Sequence, residues 1–110
     1  MEKHITFLGE EVKIAFNMAV EIAYEEISGQ MFDIDSLSKT KNTAILYAAA
    51  ILANNPQSEV SVDDILFRAT LPEIAELRTA VLDCMADWMK IPQVMKEEKK
   101  ADEDEEPKNV

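Results

Sequence analysis

The sequence predicts a mainly α-helical (α+β) domain: a small helical bundle around a buried, alanine-rich central helix, with an N-terminal β-hairpin and a disordered acidic C-terminal tail. The run from Ala44 to Ala53 carries the central part of that reading. All ten of its residues are apolar, and Ala and Leu are strong helix formers. A helix that is apolar on every side has to be surrounded by protein or lipid. A bilayer span needs about 20 apolar residues, so protein is the expected surrounding. The hairpin follows from apolar–polar alternation on both sides of Gly9, and the tail from the loss of apolar periodicity after residue 95. The expected division is a helical domain over 1–95 and a tail over 96–110.

Ile5 and Phe7 alternate with polar residues before Gly9, and Val12, Ile14 and Phe16 do so after it. Period two around a glycine is the pattern of two strands joined by a turn, here placed at about Leu8 to Glu11. Asn17 then stands where a helix N-cap is expected, and the first helix is read from Met18 to about Ser28. Ala19, Ile22, Ala23 and Ile27 share one side of it, with Val20 and Tyr24 alongside. Gly29 is its natural stop. Met31 to Leu37 reads as a loop or single helical turn pinned by its apolar residues. Lys39 to Asn42 leads into the alanine-rich helix, which Asn54, Asn55 and Pro56 end.

Ser61 with Asp64, and Thr70 with Glu73, have the spacing of capping boxes. They predict a short helix from Val62 to Ala69, burying Val62, Ile65, Leu66 and Ala69, and a long one from Leu71 to about Lys90. Pro72 falls in the first turn of the latter, where its missing N–H costs nothing. Ile74, Leu77, Val81, Cys84, Trp88 and Ile91 form a heptad-like seam, widened by Ala75, Leu82, Met85 and Met89. Glu76, Arg78, Asp83 and Asp87 make the polar face.

The formal net charge is -11. The segment from Lys96 contributes -3 of it and the body before it -8. Such a body repels phosphate backbones, which argues against nucleic acid and against an anionic membrane surface as partners. With 47% apolar residues the chain is too hydrophobic for wholesale disorder. Cys84 is the lone cysteine, so no internal disulfide and no cysteine-based metal site is available. The first residues lack an apolar stretch of signal-peptide length, and the expected location is the cytoplasm.

Catalytic chemistry has little to draw on. His4 is the lone histidine, and the chain has no phosphate-binding glycine loop, Ser-His-Asp set or histidine metal spacing. No enzyme, cofactor or metal is therefore expected, and the Asp33/Asp35 and Asp63/Asp64 pairs read as capping and turn residues. Asp35-Ser36-Leu37 matches the short motif on which acyl carrier proteins take their phosphopantetheine arm. The next helix, however, opens with Lys39 and Lys41 where those proteins show acidic side chains. An acidic inhibitor or adaptor that occupies a basic surface of a host DNA-binding protein is a further reading, drawn from the net charge.

The methionines and the wide stripe of the last helix point to protein binding instead. Met side chains repack around varied apolar partners, and a stripe wider than a small domain can cover marks a docking surface. The candidate partner-binding residues are Leu82, Met85, Trp88 and Met89, with Met18 and Tyr24. The partner is an apolar helical protein, and the same seam would also serve a homo-oligomer.

The order of features resembles the small tail assembly chaperones of long-tailed bacteriophages and prophages. An alternating strand pair leads through Phe16 and Met18 into a helix ending Glu25-Glu26-Ile27-Ser28-Gly29. An apolar turn, an Ala-rich helix, a short helix opening Ser61-Val62-Asp63-Asp64-Ile65-Leu66, a last helix ending near Trp88 and an acidic tail follow. The resemblance covers residues 4 to 91 as a layout. It implies a non-enzymatic protein of the host cytoplasm that binds the tape measure protein and keeps it soluble during tail assembly.

Overall fold

The structure, a computed structural model, describes residues 1–90. The expected tail, with Ile91, Pro92 and Met95, lies outside the described residues. The chain opens with a two-stranded antiparallel sheet, β1 (Glu2–Phe7) and β2 (Glu10–Ala15), in the register Phe7↔Glu10 to Glu2↔Ala15. The turn is tighter than the sequence suggests. Leu8 and Gly9 alone connect the strands, with φ of 52° and 80°. Two positive-φ residues match the right-handed twist of the strands. Leu8 is the unusual one, and its half-buried side chain packs against the core. Phe7, Val12 and Ile14 turn inward and are buried.

α1 (Met18–Ser28) has the expected bounds, and for the expected reasons. The Asn17 side chain accepts a hydrogen bond from the Val20 amide, and Gly29 closes the helix in the left-handed region at φ 74°. Its rotation differs from the sequence reading. Val20 and Tyr24 are fully buried, whereas Met18, Ala19, Ile22 and Ile27 are exposed. Apart from the polar side of Glu21, Glu25 and Glu26, α1 has a wide apolar arc, so periodicity alone does not select which part of it turns inward.

A 3-10 turn (Ile34–Ser38) leads to α2 (Thr40–Asn54). Phe32 and Leu37 pin the preceding segment to the core, while Met31 and Ile34 project into solvent. In α2, Ala44 to Ile51 are buried, and Leu52 and Ala53 are half-buried, which narrows the expected ten-residue run to eight. α2 packs against α1, β2, the 3-10 turn, α3 and α4.

The end of α2 does more than stop. The Asn55 carboxamide donates to the Lys13 carbonyl at 2.8 Å and accepts from the Lys13 amide at 3.0 Å. Asn54 donates to the Ala15 carbonyl at 2.9 Å. These backbone groups lie on the side of β2 that faces away from β1, so the two asparagines satisfy an edge that would otherwise be open.

Both capping boxes form. Ser61 and Asp64 exchange hydrogen bonds of 3.0 and 3.2 Å at the start of α3 (Val62–Phe67). Thr70 and Glu73 exchange bonds of 2.8 and 3.4 Å at the start of α4 (Leu71–Met89). α3 stops earlier than expected and buries Ile65 only. Val62 and Ala69 are half-buried, and Leu66 is exposed. Leu77, Ala80, Val81, Cys84 and Met85 are the buried face of α4, which packs chiefly on the hairpin. Cys84 Sγ lies 3.5 Å from the Ile14 carbonyl, and burial pushes its thiol pKa up, which suits a core residue rather than a nucleophile.

Candidate partner-binding groove

α4 carries Ile74, Arg78 and Leu82 at intervals of four, so they fall on one side of the helix. That side is distinct from the buried face, and it forms one wall of a groove of about 490 Å³. Ile65 and Leu66 of α3 form the opposite wall. Ala44, Leu46 and Tyr47 of α2 make the floor, and Leu37, Ser38, Thr40 and Thr43 close one end. The lining is apolar apart from the hydroxyls and Arg78.

Local hydrogen bonds set this shape. Thr43 Oγ1 donates to the Leu37 carbonyl at 2.8 Å, and Asn42 donates to the Ser36 carbonyl at 2.9 Å. Together they tie the 3-10 turn to the first turns of α2. Tyr47 is buried, and its hydroxyl accepts from Arg78 Nε at 3.3 Å across the groove. The Asp64 carboxylate is held below its ordinary pKa by the Ser61 backbone hydrogen bond and then by Arg68 at 2.8 Å. The Glu73 carboxylate is lowered by the Thr70 amide and hydroxyl. Both acids keep α3 and α4 capped beside the groove.

A second, shallower groove of about 340 Å³ runs between α1 and the end of α2. It is lined by Ala19, Ile22, Ala23, Glu26, Ile27, Leu52 and Ala53. It holds Ala19, Ile22, Ala23 and Ile27, the residues that the sequence groups on one side of α1.

The residues predicted to bind a partner do not form one surface. Leu82 lines the first groove and is 41% exposed. Trp88, 38% exposed, packs at 5.5 Å from Phe16, which in turn meets Phe32 at 5.9 Å. Met89 is half-buried against the core, and Met18 is exposed but lines neither groove. Two residues require correction. Tyr24 is fully buried, edge-on to Phe32 at 5.4 Å. Met85 is buried in the α4 face that meets the body of the domain. Neither presents a surface to a partner, because each fills space between packed elements.

No family model, curated protein or solved structure matches this chain.

Sequence reasoning missed most of the groove. Leu37, Tyr47, Ile65 and Ile74 come from four separate elements. Only the four-residue spacing of Ile74, Arg78 and Leu82 was there to be seen, and Arg78 reads in sequence as part of a plain polar face. Among the described residues no group of three or more His, Cys, Asp or Glu side chains is placed to hold a metal. No described helix is long and apolar enough to cross a membrane. His4 is exposed and 3.1 Å from Glu2. Ser36, the residue of the carrier-like motif, donates to the Asp33 carbonyl at 2.7 Å within the 3-10 turn, as a turn residue does.

Proposed function

We propose that the protein is a non-enzymatic holding protein, which seats an apolar helix of a partner chain in the groove between α2, α3 and α4. One observation carries the reading: a half-open groove with an apolar lining, in which Leu66 and Leu82 remain exposed on an otherwise acidic protein. Helices bind by laying an apolar stripe into such a groove, and exposed apolar surface on a soluble domain marks interaction. In this reading α2 is the buried centre of the bundle and supplies a stiff floor. The acidic shell keeps holder and cargo dispersed by like-charge repulsion.

The resemblance of the sequence layout to phage tail assembly chaperones makes the tape measure protein the proposed cargo, and the cytoplasm of the bacterial host the proposed location. Co-expression tests this. The protein should keep a tape measure fragment in the soluble fraction, and Leu82→Asp should release it to the pellet while the variant's circular dichroism matches wild type. Equal rescue by wild type and Leu82→Asp would remove the groove from the mechanism.

A further inference from the structure

We infer that the partner helix carries a carboxylate beside its apolar stripe, and that Arg78 pairs with it. The inference rests on the holding role proposed above and specifies the cargo's chemistry.

Through residue 90 the chain has fifteen acidic and seven basic side chains. A groove cut at random into such a surface would be rimmed by carboxylates. This one has none among the described residues that line it, the neighbouring Asp64 and Glu73 being engaged in their helix caps, and its single charged lining residue is Arg78. Arg78 is also without an ion-pair partner among the described residues, although Arg68 one element away is paired with Asp64.

The buried Tyr47 hydroxyl engages Nε of Arg78. That leaves both terminal nitrogens of the exposed Arg78 for a second partner, and ties the base of the planar fork to the groove. A fork with its inner nitrogen anchored is prepared for bidentate pairing with a carboxylate. Thr40 and Thr43, from the opening turns of α2, also line the groove, and the first turn of α2 holds no acidic side chain.

The pairing also rejects wrong cargo. A purely apolar helix pressed into the groove would cover Arg78 without compensating it, and a buried unpaired charge is costly. The groove is open along one side and walled by two helices, which suits a helix laid along it better than an acyl chain threaded into a closed tunnel.

Fluorescence anisotropy with the full chain tests this. Three labelled helix-forming peptides share one leucine stripe and differ only in carrying Glu, Gln or Lys beside it. The Glu peptide should bind about tenfold more tightly than the Gln peptide, the scale of one charge-assisted pair. The gap should close in Arg78→Gln, shrink in Arg78→Lys, and invert toward the Lys peptide in Arg78→Glu. Equal affinity of the wild type for the Glu and Gln peptides would overturn the carboxylate inference while leaving the groove as a holding site. Absence of binding by all three, with Leu82→Asp indistinguishable from wild type, would remove the holding role as well. Displacement of bound peptide by a synthetic 91–110 segment, or a free-protein dimer that peptide dissociates, would assign the groove to this chain itself and overturn the proposal.

Discussion

At its C-terminal end α2 meets the hairpin, and there Asn54 and Asn55 bond to the backbone of Lys13 and Ala15 while Val12 and Ile14 are buried beside them. At its N-terminal end α2 meets α3 and α4, and the contact leaves Leu66 and Leu82 exposed in the lining of an apolar groove. Both junctions use apolar side chains from several elements. They differ in whether the space between the elements is filled. A filled junction holds the fold, and the unfilled one is where the proposed holding role places a second chain. The teaching is that hydrophobic content does not by itself separate core from interface; enclosure does.

Paired substitutions on α4 should give the widest separation of the two junctions. Leu77 is fully buried, and Leu77→Ala should cost about 3 kcal/mol of stability in a urea titration. Leu82→Asp, on the same helix, should stay within about 1 kcal/mol yet abolish peptide binding. Comparable destabilisation by both would erase the distinction.

Asn55→Ala should come next, at about 2 kcal/mol, because it strips both hydrogen bonds from the Lys13 backbone. Hydrogen exchange at the Lys13 amide should accelerate, with peptide affinity unchanged.

Acid should act on the open junction through its helix caps. Asp64 and Glu73 have pKa values below their ordinary 3.8 and 4.5. Their stabilising contribution is therefore complete above those ordinary values, and is lost as pH falls through the depressed ones. Melting temperature should drop on acidification below about pH 5, and the drop should be shallower in an Asp64→Asn, Glu73→Gln double variant. Equal slopes in the two proteins would show that the caps are not what acid removes.

The smallest effect belongs to Met18, which is exposed and lines neither groove. Met18→Gln should shift stability by no more than about 0.5 kcal/mol and leave binding unaltered. A clear loss of affinity would move the docking surface toward α1.

How much of this was legible beforehand depended on distance along the chain. Asn17, Gly29, Ser61, Asp64, Thr70 and Glu73 act on backbone groups within four residues, so the helix starts, and the stop of α1, could be read locally. The hairpin was visible because alternation is a local pattern, although the two-residue turn was not, since Leu8 is an unlikely residue for positive φ. The rotation of α1 was hidden by an apolar arc wider than the face that is buried. The groove was hidden because Leu37, Tyr47, Ile65, Ile74 and Leu82 meet only after folding. The same cause explains Tyr24 and Met85, whose residue types suit a binding face and whose neighbours enclose them.

The asparagine pair at the end of α2 has a bearing on polymerisation. A two-stranded ribbon offers both flanks to any extended chain that drifts past, and each added strand creates a fresh template for the next. Here the Asn55 carboxamide impersonates one rung of the missing strand along β2, so a newcomer would have to evict it before the first cross-strand bond could form. The ribbon is thus terminated from within at Lys13 and Ala15 on that flank.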